Sequence, residues 1–172
     1  MRLVRPSMAY ADEIMAYRAE SLELAPHVNG AFELGGYTDP AAWIARCETR
    51  TDPAMVPEGD VVADEWMMVD DSRILGMVNI RRNLDDPFFA EYAGHIGYSI
   101  RPVERGRGYG TAQLMLTLDK CRDLSLEKVL LTCDTDNEAS RRTILSCSGV
   151  FERTTIQTPE HPDQLERYWI SL

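Results

Sequence analysis

His95-Ile96-Gly97-Tyr98-Ser99-Ile100-Arg101-Pro102-Val103-Glu104-Arg105-Gly106-Arg107-Gly108-Tyr109-Gly110 reads as a strand that passes through a glycine-rich turn into a helix. Ile96, Tyr98 and Ile100 alternate as a half-buried strand requires. After Gly110 the period lengthens to that of a helix, with Leu114, Met115, Leu118 and Cys121 on one side and Gln113, Thr117 and Lys120 opposite. At such a junction the free N–H groups and the positive end of the helix dipole attract an anion. Glycines let the backbone approach closely, and Arg105 and Arg107 add charge from the side, so a pyrophosphate suits the turn. The spacing is neither the dinucleotide fingerprint nor a P-loop, which disfavours nicotinamide and ATP. A glycine-rich turn that carries arginines by chance is the competing reading of the hexapeptide alone.

Outward from this stretch the chain alternates strand-like and helix-like runs. Residues 1–5 read as a strand and 11–24 as a helix that Ser7 is positioned to cap, and Asp39-Pro40 opens a short helix to about Thr49. Residues 52–64 suit a surface connection. Residues 65–69 and 74–81 form a hairpin pair around Asp70-Asp71-Ser72-Arg73. A loop over 83–90 leads to a strand over 93–101; beyond the glycine helix come a strand at 128–133, a helix at 140–147 and closing strands at 151–158 and 166–171. The order predicts an α/β fold with helices on the faces of a mixed sheet.

With 172 residues the chain fits a single domain, 1–172, large enough to bury a core without staples. A net charge of −10 and a pI near 4.7 repel polyanions, so nucleic acid and anionic membrane are not expected partners. Anionic ligands must be held locally, by Arg101, Arg105 and Arg107 or by the pair Arg141 and Arg142, for which a solvated basic face is the alternative. Cys47, Cys121, Cys133 and Cys147 show no metal-ligand or redox spacing, and no metal is expected; they read as buried thiols of a reducing compartment. No leader-like or membrane-spanning run stands out, and the expected location is cytoplasmic.

The run from His95 to Pro102 followed by Glu104 to Gly110 resembles the acyl-CoA signature of the GNAT superfamily of N-acetyltransferases, whose Gln/Arg-x-x-Gly-x-Gly/Ala pattern is matched by Arg105, Gly108 and Gly110. Asp136-Asn137-Glu138-Ala139-Ser140 and Gly149-Val150-Phe151 resemble the second cofactor segment of that family. The likeness is greatest to a bacterial branch of predicted acetyltransferases with an HIGY strand, the stretch seen here as Thr132-Cys133-Asp134-Thr135-Asp136-Asn137, and a terminal Arg167-Tyr168-Trp169-Ile170. It is strong over residues 93–152.

The resemblance implies a mostly antiparallel mixed sheet of about seven strands with about four flanking helices, split by a splayed parallel pair, residues 93–101 and 128–133, that forms the acyl-CoA cleft. Acetyl-CoA is the implied cosubstrate and an amine the acceptor, attacking the thioester directly; a homodimer is a family-level expectation. By this likeness the pantetheine arm follows Ser99, Ile100 and Arg101. The pyrophosphate rests on Arg105, Gly106, Arg107, Gly108, Tyr109, Gly110 and Thr111, and Asn137 and Ser140 face the arm. A backbone N–H near Ile100 then polarises the thioester carbonyl. His95 stands where several members carry a glutamate base, and its ordinary pKa near 6.5 suits that role; a hydrogen-bonding role within the fold is the alternative. Ile144 and Leu145 occupy the region where many relatives have a thiolate-protonating tyrosine, so the acid is unassigned, with Ser146 or water as stand-ins. Asn79, Arg81, Arg82, Arg167 and Tyr168, with His27, Tyr37 and Trp43, are candidates for the acceptor side or for plain structure. A non-catalytic acyl-CoA-binding domain is the alternative function.

Overall fold

The hairpin read at 65–81 is the centre of the first of two sheets. In the computed structural model, which describes residues 1–57, 60–156 and 164–172, that sheet has the order β1 (Arg2–Val4), β2 (Ala63–Asp70), β3 (Arg73–Arg81), β4 (Ile96–Ile100), antiparallel throughout. The second sheet has β7 (Gln164–Ser171) between β5 (Lys128–Asp134) and β6 (Val150–Ile156). Helices α1 (Ala11–Leu22) and α2 (Pro40–Thr49) bury Ile14, Tyr17 and Trp43 against Met67 and Met77. Helices α3 (Tyr109–Asp123) and α4 (Glu138–Ser146) bury Leu114, Leu118 and Ile144 against Val78, Ile80 and Leu131 on the other side. The period-two pattern of β3 thus feeds two cores, Met77 to one and Val78 and Ile80 to the other. The α/β fold of seven strands and four α-helices, counted among the described residues, matches the expectation.

Four local readings change. Ser7 makes no capping hydrogen bond and precedes a 3-10 turn, Met8–Tyr10. In α3, Gln113 and Thr117 are buried and Met115 is 59% exposed, because the helix packs on the sheet and on α4 at once; Thr117 satisfies its hydroxyl by donating to the Gln113 carbonyl at 2.8 Å. The strand expected from residue 93 begins at Ile96, behind a π-helical turn over Phe89–Ala93. Helix α4 begins at Glu138 because the Asn137 side chain caps it, accepting from the Ser140 N–H at 3.0 Å. The last two residues of the strand expected at 151–158 lie outside the described residues.

The two sheets meet at His95. Its backbone N–H donates to the Leu130 carbonyl at 2.8 Å, and the Leu130 N–H donates to His95 Nδ1 at 2.9 Å, so the imidazole stands where a ladder carbonyl would. Close approach here requires glycine at 94: its φ is +66°, and a Cβ would lie 2.4 Å from the Leu130 carbonyl oxygen. Beyond this clasp no ladder joins β4 to β5, and the strands diverge, with Ile96, Gly97 and Tyr98 of β4 and Thr132, Cys133 and Asp134 of β5 lining one cavity. A neutral imidazole that accepts at Nδ1 carries its proton on Nε2 and has no free lone pair. Burial, with the charges of Arg81 and Lys128, holds its pKa down to about 4. His95 therefore fits the structural alternative and not a base.

On the opposite edge of β4, Arg101 is 1% exposed and ties the strand to α1. Its guanidinium donates to both carboxylate oxygens of Glu20 (2.8 and 2.7 Å), to Glu13 (2.7 Å) and to the Ile74 carbonyl (3.0 Å), and its backbone N–H donates to Leu75. Glu13 also accepts from the Ile74 N–H at 3.0 Å, which closes the network.

Two stability measurements follow from these contacts. Because the unfolded chain takes up the His95 proton near pH 6.5 and the folded one only near pH 4, stability is intact above about 6.5 and declines as pH falls through that window, by up to about 3 kcal/mol. His95→Asn keeps an acceptor for Leu130 without titrating, so urea unfolding across that range must show a shallower acid-side decline than the parent; equal slopes would remove His95 as the cause. Arg101→Ala is expected to cost about 3 kcal/mol or more in the same assay, since it strips a buried cation from two carboxylates. Arg101→Lys recovers only part, lacking the fork geometry.

Candidate active site

Divergence of β4 from β5 leaves a cleft whose walls follow from strand phase. The Arg101 N–H donates to Leu75 and the Arg81 N–H donates to the His95 carbonyl, so Gly97, Ser99 and Arg101 direct their backbone groups at β3. Alternation turns the N–H and C=O of Ile96, Tyr98 and Ile100 to the open edge. Side chains alternate as well: Ser99 and Arg101 face α1, where the Ser99 hydroxyl meets Tyr17 Oη at 2.9 Å and donates to the Asn29 carbonyl, while Tyr98 reaches across to α4 and meets Ser140 Oγ at 2.9 Å.

A cavity of ≈ 580 Å³ occupies this cleft. Ser99 and Ile100 form one wall, Arg105, Gly106, Gly108, Tyr109, Gly110 and Thr111 its base, and Asn137 and Ser140 the facing wall, so most of the expected cofactor residues converge. Gly106 and Gly108 have φ of +76° and +81°, with open space where a Cβ would be, and Gly108 is the N-cap of α3. Gly110 packs closely against α4: its Cβ would lie 3.0 Å from Thr143 Oγ1. Arg105 Nε donates to the Ile100 carbonyl at 3.2 Å, which holds the cation beside the glycine turn. Helix N-terminus, glycine backbone and guanidinium together fit a diphosphate.

Two expected cofactor residues stand apart. Arg101 is consumed by Glu13 and Glu20, and Arg107, exposed on the far side of the turn, pairs with Glu104 at 2.9 Å; neither lines the cavity. Of the second arginine pair, Arg142 lines the cavity, whereas Arg141 turns to Glu166 at 2.6 Å. Asn29, Tyr98 and Thr143 line it without having been expected there. The tyrosine and threonine carried a signal in the alternation of β4 and the helical period after Asn137; Asn29, on a loop distant in sequence, carried none.

A second cavity of ≈ 250 Å³ adjoins the first, sharing Asn29, Tyr98, Asn137 and Ser140 with it. It is lined by Arg81, Tyr92, Gly97, Thr132, Cys133 and Asp134 among others, and His95 lines neither cavity. Of the acceptor-side candidates only Arg81 reaches it. Arg82 is paired with Asp64 at 2.7 Å, and Arg167 with Glu152 at 2.6 Å. Tyr168 and Trp43 are core, the former donating to Glu166 and the latter to the Phe32 carbonyl. Burial pulls the pKa of Arg81 down to about 10 and pushes that of the Cys133 thiol up to about 11, so neither changes charge near neutrality. All four cysteines are free and buried.

Comparison with known proteins agrees with the fold. No curated protein sequence matches the chain. Among solved structures, the microcin C7 self-immunity acetyltransferase MccE in complex with acetyl-CoA and AMP superposes with a TM-score of 0.71 at 17% identity, over 99% of this chain and 91% of the other. The ribosomal-protein-S5-alanine acetyltransferase from Vibrio fischeri gives 0.70 at 18% identity, over 99% and 91%. RimJ of Mycobacterium smegmatis in complex with CoA-disulfide gives 0.69 at 17%, over 98% and 80%. At such identities the likeness shows the fold. The family model of the acetyltransferase (GNAT) domain matches residues 9–148, spanning α1 through α4, and the chain belongs to the GNAT acetyltransferase family.

Proposed function

We propose that this protein moves an acetyl group from acetyl-CoA to a primary amine by direct attack in a ternary complex. The observation that carries the reading is the meeting of the two cavities at Tyr98 and Ser140: one has the anion-binding turn at its base, the other is a separate chamber for an acceptor. The acetyl-CoA and CoA-disulfide complexes of structural neighbours support the choice of cosubstrate.

In this reading the diphosphate lies on the turn from Arg105 to Thr111, and the pantetheine arm adds to the open edge of β4, bonding to Tyr98 and Ile100 as a strand would. The thioester carbonyl then reaches the junction, where a backbone N–H of that edge stabilises the oxyanion. Attack by the amine forms the C–N bond and expels the CoA thiolate. The Tyr98 hydroxyl, paired with Ser140 Oγ, is a donor on the shared wall. Burial raises its pKa further above that of a thiol, about 8.5, so Tyr98 stabilises the thiolate by donating a hydrogen bond and keeps its proton. The thiolate takes its proton from the amine nitrogen as the amide forms.

A panel of amines and peptides, followed by thiol release, tests the function: turnover above the hydrolysis background is expected for at least one amine, and saturable acetyl-CoA binding without turnover of any would instead indicate a binding domain. Two variants separate the roles. Arg105→Ala is expected to raise the calorimetric Kd for CoA about tenfold, an effect that shrinks with added salt. Tyr98→Phe should lower kcat about tenfold and leave that Kd within about twofold; an unchanged kcat would exclude the hydroxyl.

A further inference from the structure

Beside the second cavity, on the α1/α2 face of the first sheet, lies a cluster of buried polar atoms. Glu65 on β2 is 1% exposed, and neither carboxylate oxygen has a hydrogen bond of ordinary geometry among the described residues. The same holds for Asn79 Oδ1, Arg81 Nε and Arg50 Nε. Strand register aligns them: Glu65 is opposite Asn79, and Asn79 is opposite Gly97. Gly97 lines the second cavity, and the space its missing Cβ leaves is bordered by the Asn79 amide at 3.1–3.6 Å. Arg81, two residues further on the same face of β3, lines that cavity too. A row of polar groups therefore leads from the acceptor chamber through Asn79 to Glu65.

Each unsatisfied buried polar atom costs about 1–3 kcal/mol, and ordered water ordinarily relieves it. Building on the proposed transferase reading, we infer that Glu65 is the proton acceptor of the acceptor amine, reached through water held by Asn79 and Arg81 beneath Gly97. The step balances without a further reactant. The ammonium gives one proton through the water to the Glu65 carboxylate, and the neutral amine attacks the thioester. The second proton on nitrogen leaves with the thiolate as CoA thiol, and Glu65 returns its proton to solvent between turnovers.

The charges around Glu65 suit the task. Burial raises its pKa well above the carboxylate range, while the Phe32 N–H, Arg50 at the end of α2, Arg81 on β3 and Arg5 after β1 favour the ionised form. Cys47 on α2 faces it as a neutral thiol, its pKa pushed up by burial, and Asp60 engages Arg50 and adds negative charge. A carboxyl basic enough to take a proton, yet ionisable beside three guanidinium groups, results. Glu65 acts through water and is a positioning residue for the proton.

The test is the pH profile of kcat/KM for the best amine of the panel in the parent, Glu65→Gln and Asn79→Leu, with the Kd for CoA as a check on folding. The parent rate should rise with pH as Glu65 ionises. Glu65→Gln is expected to fall more than about tenfold near pH 7, to lose that rise, and to approach the parent at high pH, where the amine deprotonates in solution. Asn79→Leu should act in the same direction, and CoA affinity should stay within about twofold. A Glu65→Gln profile parallel to the parent at every pH, or no loss at all, overturns the relay while leaving the transferase reading intact. Absence of turnover in the parent itself overturns that reading instead.

Discussion

The bond pair between His95 and Leu130 is the constraint from which the working architecture follows. It joins the two sheets at a single point, using an imidazole nitrogen in place of a backbone carbonyl. Strands held together only at their start and drawn apart by their own packing must open, and the cleft is that opening. The two cores then act as opposed anchors: α1 and α2 hold β4 through Tyr17 and Arg101, while α3 and α4 hold β5 through Leu131 and Ile144. A buried cation shared by two carboxylates costs desolvation, but it fixes one register, and here that register decides which residues of β4 face the cleft.

Much of this was legible in order but not in phase. The period change after Gly110, the hairpin at 65–81 and the turn from Arg105 to Gly110 carry local signals strong enough to survive folding. Ten of the twelve expected cofactor residues line the cleft for that reason. Arg101 and Arg107 failed for a reason no spacing reveals: a cation is claimed by whichever carboxylate the fold brings to it, Glu13 and Glu20 in one case and Glu104 in the other. His95 failed similarly, because a side chain in a strand cannot be known to complete a ladder until the neighbouring strand is in view. Asn29 belongs to a loop whose approach to Ser99 depends on the whole tertiary arrangement.

The row from Glu65 to Gly97 illustrates a second limit of linear reading. Its members are separated in sequence by the lengths of two hairpins, and each alone reads as a surface-type residue in an acidic chain. Only the antiparallel register sets them side by side, and only burial gives the carboxyl an altered affinity for its proton.

Asn29, Tyr98, Asn137 and Ser140 belong to both cavities at once. A common wall makes the two chambers thermodynamically one system: any adjustment of these four side chains on filling the first alters the free energy of filling the second, and by linkage the reverse effect has the same size. In the proposed transferase the mutual affinity of the two ligands is thereby set at this partition, so that a substitution there changes how they sense each other.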